Sequence, residues 1–130
     1  MKHGFTILLA EDDGNDVVLF KHAVEESAAE SFIKIIVHVV HDGAEAIAYL
    51  SGEGIFANRK ANPFPDLIVL DLKMPRLNGL DVLRWLYDHP EYRRIPKILL
   101  SGSGEERDID QAYQLGANIL SKARQFERIS

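Results

Sequence analysis

The run Asp66-Leu-Ile-Val-Leu-Asp71 constrains this chain more than any other stretch. Its apolar residues are continuous, with no polar alternation, so it describes a short strand buried on both faces, as in a parallel sheet. Comparable short runs recur at residues 5–10, 33–40, 96–100 and 117–121. Between them the spacing changes to that of helices. An N-cap at Asn15 or a neighbouring acid opens the first, with Val17, Val18, Leu19, Ala23 and Val24 on its apolar side. A turn at His41-Asp42-Gly43 leads into a short helix over residues 44–50. A third helix runs from Leu80 to about His89, where Pro90 ends it, and a fourth over residues 105–115 with Gly116 as its stop. Residues 51–65 carry Gly52, Gly54, Pro63 and Pro65 and read as a long loop with one helical turn near residues 55–57.

Strands alternating with helices predict an α/β fold: a doubly wound, five-stranded parallel sheet with right-handed crossovers and helices on both faces. A length of 130 residues suits one domain over residues 1–130. The apolar share of 46% against 27% charged is that of a packed globular protein. A net charge of −5, with scattered Lys and Arg, argues against a nucleic-acid footprint. Without cysteine there are no disulfides, thiolate chemistry or Cys-based zinc sites, and a reducing, cytoplasmic setting is expected. No apolar run approaches a membrane span, and the opening MKHGFTILLA is too short for a signal peptide.

In such sheets ligands bind beyond the carboxyl ends of the strands. Those ends carry Glu11-Asp12-Asp13, Asp71, Ser101-Gly102-Ser103 and Lys122. Carboxylates gathered at one edge repel each other unless a cation neutralises them. An all-oxygen set with no His or Cys suits a hard ion such as Mg²⁺. A hydroxyl, an amine and the backbone amides near Gly102 are groups suited to surround a phosphoryl group, and an aspartate there can form an acyl phosphate. Taken singly, each of these residues is most often a solvated turn residue or cap; it is their joint placement at four strand ends that points to chemistry. The five histidines show no ligand spacing.

The stretches ILLAEDD, LIVLDLKMPRLNGLDVL and IPKILLSGS resemble the acidic and hydroxyl blocks of response-regulator receiver domains, the phosphoacceptor modules of two-component signalling. ANPFPDLIVLDL and HPEYRRIP further resemble the small single-domain receivers that accompany bacteriophytochromes. The resemblance implies a flavodoxin-like strand order 2-1-3-4-5 and a phosphoacceptor at Asp71. It implies Asp12 as a direct Mg²⁺ ligand, Glu11 as a second acid and the Lys73 carbonyl as a further ligand. Ser101 would report phosphorylation, Lys122 would pair with phosphoryl oxygens, and Lys73 and Ser103 would influence phosphoryl loss. Gly79 would supply an unusual backbone conformation in the loop shaped by Met74-Pro75 and Asn78. The phosphodonor would be a sensor histidine kinase or phosphotransfer protein, and signalling would proceed by protein–protein contact. The chain would then be no enzyme toward outside substrates, catalysing only its own phosphorylation and dephosphorylation.

Departures from the family pattern set further expectations. The segment from Gly116 to Lys122 is one residue short, Ile119 stands where an aromatic is expected, and Ala123 stands where a proline is. A cis bond before a non-proline residue costs about 2.5–4 kcal/mol, so a trans bond at Lys122 is expected, aiming the lysine differently or leaving it out of the site. A fifth helix is expected to be short or missing, with the uncovered sheet face hidden by self-association or a rearranged tail. The alternatives are a receiver-like interaction module that is not phosphorylated, and an aspartate-nucleophile enzyme of the haloacid-dehalogenase type. The latter would want a second Asp where this chain has Lys73.

Overall fold

In a computed structural model, residues 4–102 and 106–122 are described. Five parallel strands, β1 (Gly4–Ala10), β2 (Lys34–Val40), β3 (Leu67–Asp71), β4 (Lys97–Ser101) and β5 (Asn118–Ser121), form one sheet in the order β2-β1-β3-β4-β5. Four α-helices connect them: α1 (Gly14–Ala28), α2 (Gly43–Ser51), α3 (Gly79–Tyr87) and α4 (Glu106–Gln114). The strand order and alternation are those expected. Two short 3₁₀ turns lie at Gly54–Phe56 and Pro90–Tyr92. The second was not foreseen; Pro90, rather than simply ending α3, opens a new turn with its fixed φ. The expectations about Ser103, the Lys122–Ala123 bond and the fifth helix fall wholly or partly outside the described residues.

The pleat sorts the strand residues into two cores. Leu8, Ala10, Ile68, Leu70 and Leu99 face one side and pack with Tyr49 and Leu50 of α2, Val82, Leu83 and Leu86 of α3 and Ala112 of α4. Ile7, Leu9, Val69 and Leu100 face the other and pack with Phe20 of α1. The central strands are buried on both sides, which is why β3 reads as a continuous apolar run.

The helix starts are chemically specified. Asp13 caps α1, accepting from Asn15 N and Asp16 N, so the cap is a neighbouring acid rather than Asn15 itself. Asn78 and Asp81 form a reciprocal capping box on α3. Asp42 caps α2 through Glu45 N at 2.8 Å. Its other oxygen accepts from Arg76 Nε at 2.9 Å and forms an ion pair with Nη2 at 2.7 Å. Gly43 N donates to Leu77 O at 2.9 Å, so this junction clasps the β3–α3 loop to the start of α2.

Arg76 pays for its place in the clasp with a left-handed backbone, φ 64°. Its guanidinium is largely exposed, so the ion pair contributes little beyond the cap. Asp42→Ala is therefore expected to lose about 1–2 kcal/mol, mostly from the cap, whereas Arg76→Gly stays within about 1 kcal/mol of wild type because relief of backbone strain offsets the lost pair. Urea denaturation of both variants checks the contrast. Burial pushes the Asp42 carboxyl up, but the Glu45 N–H and Arg76 outweigh it and hold its pKa below the ordinary 3.8. The stabilisation is thus present above that value and is lost as pH falls through the folded-state pKa.

Candidate functional site

Four strand ends, those of β1, β3, β4 and β5, and the first turn of α1 meet at the carboxyl edge of the sheet. Glu11 follows β1, tied to β2 through Glu11 N to Val40 O at 2.9 Å, and its side chain is almost fully buried. Asp12 beside it is exposed. Asp71 closes β3 and is 4% exposed. Carboxylate oxygens of Glu11, Asp12 and Asp71 all lie within 4.8 Å of one another. Ser101, buried at the end of β4, comes one residue after Leu100, the β4 residue aligned with Asp71.

Lys122, at the end of β5, reaches into this group, contrary to the expectation that it would be aimed elsewhere. Its Nζ lies 3.0 Å from Asp71 Oδ2, 3.0 Å from Glu11 Oε1 and 2.9 Å from Asp16 Oδ2. The long side chain spans the gap from β5, past β4, to β3. Burial opposes its charge, but the neighbouring Asp16, Glu11 and Asp71 carboxylates outweigh that and raise its pKa. Asp16 was missed in the sequence. The available signal was an acid on the first turn of α1, just after the Glu11-Asp12 strand end.

Burial, and then the neighbouring Asp71 carboxyl, push Glu11 from 4.5 up to about 8, against the pull of Lys122 and the Asp13 N–H. Glu11 Oε2 accepts from Asp13 N at 3.2 Å, but Oε1 has no aligned hydrogen-bond donor although the ammonium is near. A buried, under-satisfied carboxylate oxygen facing two further carboxylates is what a hard divalent cation would relieve. The donor set therefore fits such an ion.

The loop after Asp71 forms the remaining wall. An open cleft of about 540 Å³ is lined by Asp12, Leu72, Lys73, Met74, Pro75 and Asn78, with Asp108 of α4 opposite. Lys73 is exposed along this rim. Gly79 has no positive φ; the left-handed residue of the loop is Arg76. What Gly79 supplies is close approach, since a Cβ there would lie 2.5 Å from Asp71 O and 2.6 Å from Leu99 Cδ1. This corrects the expected reason for the glycine.

The family model for the response regulator receiver domain matches residues 7–130, and the chain belongs to that family, which is regulatory. Among its relatives is the response regulator Rcp1 of Synechocystis sp. (strain ATCC 27184 / PCC 6803 / Kazusa), 34% identical over 122 residues that span 93% of this chain and 78% of Rcp1. The crystal structure of the phosphorylated cyanobacterial phytochrome response regulator RcpA superimposes with a TM-score of 0.82 at 35% identity, covering 97% of this chain and 89% of RcpA. The Mn²⁺-bound form of Rcp1 gives 0.79 at 32% identity, covering 96% and 88% respectively. Among the described residues no helix is long and apolar enough to cross a membrane.

Proposed function

We propose that the chain is a phosphoacceptor receiver that takes a phosphoryl group on Asp71 from a phosphohistidine of a sensor histidine kinase or phosphotransfer protein. The observation that carries this reading is the convergence on a buried Asp71 of two further carboxylates and the Lys122 ammonium, 3.0 Å away. Glu11, Asp12, Asp71 and the Lys73 carbonyl would hold Mg²⁺, which when bound neutralises the charge on the transferring group. The similarity to a Mn²⁺-bound relative and to a phosphorylated one supports a divalent ion and a phosphorylated aspartate here. The similarity to a phytochrome response regulator favours a kinase of that class, and a cytoplasmic setting is part of the same reading.

The chain's own residues divide the work. Asp71 attacks in line as the nucleophile, displacing the donor imidazole from phosphorus as the new P–O bond forms. Lys122 places positive charge where oxyanion charge develops, and Ser101 offers its hydroxyl to the new phosphoryl oxygens. A dianion at the carboxyl edge then shifts the population of the adjoining loops and the α4 side, which passes the signal on by protein contact.

Incubation with Mg²⁺ and acetyl phosphate is the test. Wild type is expected to take up an acid-stable, base-labile label near one equivalent, and Asp71→Asn none. Label that survives in Asp71→Asn, or none on wild type, defeats the reading.

A further inference from the structure

Lys122 carries its charge on a flexible four-carbon stem, yet it must be held at one point if it is to act on Asp71. Of its three carboxylate contacts, only that to Asp16 Oδ2 has hydrogen-bond geometry, at 2.9 Å; Glu11 and Asp71 meet it as ion pairs without alignment. Asp16 itself is held from below, because Asp16 N donates to the capping Asp13 Oδ1. It also stands outside the Glu11, Asp12 and Asp71 cluster that fits a divalent cation. A cation taken up by that cluster competes with Lys122 for Glu11 and Asp71, but leaves Asp16 to the lysine.

We propose that Asp16 is a positioning residue, tethering the Lys122 ammonium from α1 so that it stays beside Asp71 when the acidic cluster is occupied. The inference rests on the phosphoacceptor reading for its consequence, but the tether itself is independent of it. The contact joins residues 106 positions apart, from the first turn of α1 to the end of β5. It thereby fastens the last described strand end to the opposite side of the site.

Two measurements on the full chain test this. The first is a double-mutant cycle in the phosphorylation rate with acetyl phosphate and Mg²⁺. Asp16→Ala is expected to slow labelling about tenfold, with no further slowing when Lys122→Ala is already present. Asp16→Asn, which keeps the shape, should move in the same direction as Asp16→Ala if the alanine variant folds poorly. Equal slowing in both backgrounds would show that Asp16 supports α1 and not the lysine, and overturns the proposal. The second measurement is the ¹⁵N spectrum of the Lys122 ammonium in metal-free protein, assigned by its loss in Lys122→Ala. Restricted motion in wild type that is lost in Asp16→Asn supports the tether, and an ammonium as mobile in wild type as in the variant overturns it. Should wild type take no label, the phosphoacceptor reading falls, and the spectrum alone decides on the tether.

Discussion

Gly79→Ala is expected to destabilise the fold by about 2–3 kcal/mol, a large effect for a single methyl group. The added Cβ would stand 2.5 Å from Asp71 O, 2.6 Å from Leu99 Cδ1 and 3.1 Å from Asp71 C. Two of those atoms are backbone of the central strand, so no flexible side chain can swing aside to relieve them. Gly79 N also donates to Leu72 O at 3.1 Å, which keeps the start of α3 against the end of β3. Whatever gives way moves Asp71, so the labelling rate should fall together with stability. Gly14 is the internal comparison. It opens α1 with nothing within 4 Å of its Cβ position, and Gly14→Ala should stay within about 1 kcal/mol of wild type. Urea denaturation of the two variants is the measurement, and equal midpoints would refute the close-approach argument.

Glu11→Gln is expected to act in opposite directions on fold and on ion binding. The folded pKa of Glu11, about 8, lies above its ordinary 4.5, so the folded protein holds this proton more tightly than the unfolded chain. The contribution of Glu11 to stability is then greatest below pH 4.5, falls as pH rises through that interval, and levels off above about 8. At pH 9 the metal-free wild type bears the full cost of a buried carboxylate, which Gln removes while keeping the shape. Glu11→Gln should therefore be more stable by about 1–3 kcal/mol at pH 9, a difference that vanishes near pH 4. The same change removes a charge from the acidic cluster, so added Mg²⁺ should stabilise the variant much less than wild type. Paired denaturation curves at the two pH values, with and without Mg²⁺, read both effects. A Gln variant less stable than wild type at pH 9 would mean that the Lys122 pair outweighs the burial.

Much of the architecture is legible along the chain because it follows from local periodicity. Leu67–Asp71 reads as a doubly buried strand for the reason the structure shows: Ile68 and Leu70 enter one core and Val69 the other. The start of α3 was read at Leu80 without its cap, and the reciprocal Asn78–Asp81 capping box came only from the structure. Element ends moved by a residue or two, since caps and frayed turns make such limits soft. The second 3₁₀ turn was hidden by Pro90, which reads equally as a helix stop. Gly79 was legible as special, but its reason was not, because close approach depends on Leu99 and the Asp71 carbonyl rather than on its own neighbours.

The amino-acid sequence by itself determined the alternation of strands and helices, and with it the strand ends where Glu11, Asp12, Asp71, Ser101 and Lys122 stand. Those features depend on residues within a turn or a strand of one another. Only the tertiary structure decided where Lys122 points, that Asp16 receives it, and that Arg76 answers Asp42. Each of these contacts joins parts of the chain 34 to 106 positions apart. No local spacing encodes such a distance; it is set when sheet order and helix packing bring β1, α1, β3 and β5 to one edge, where charge and burial select the partners.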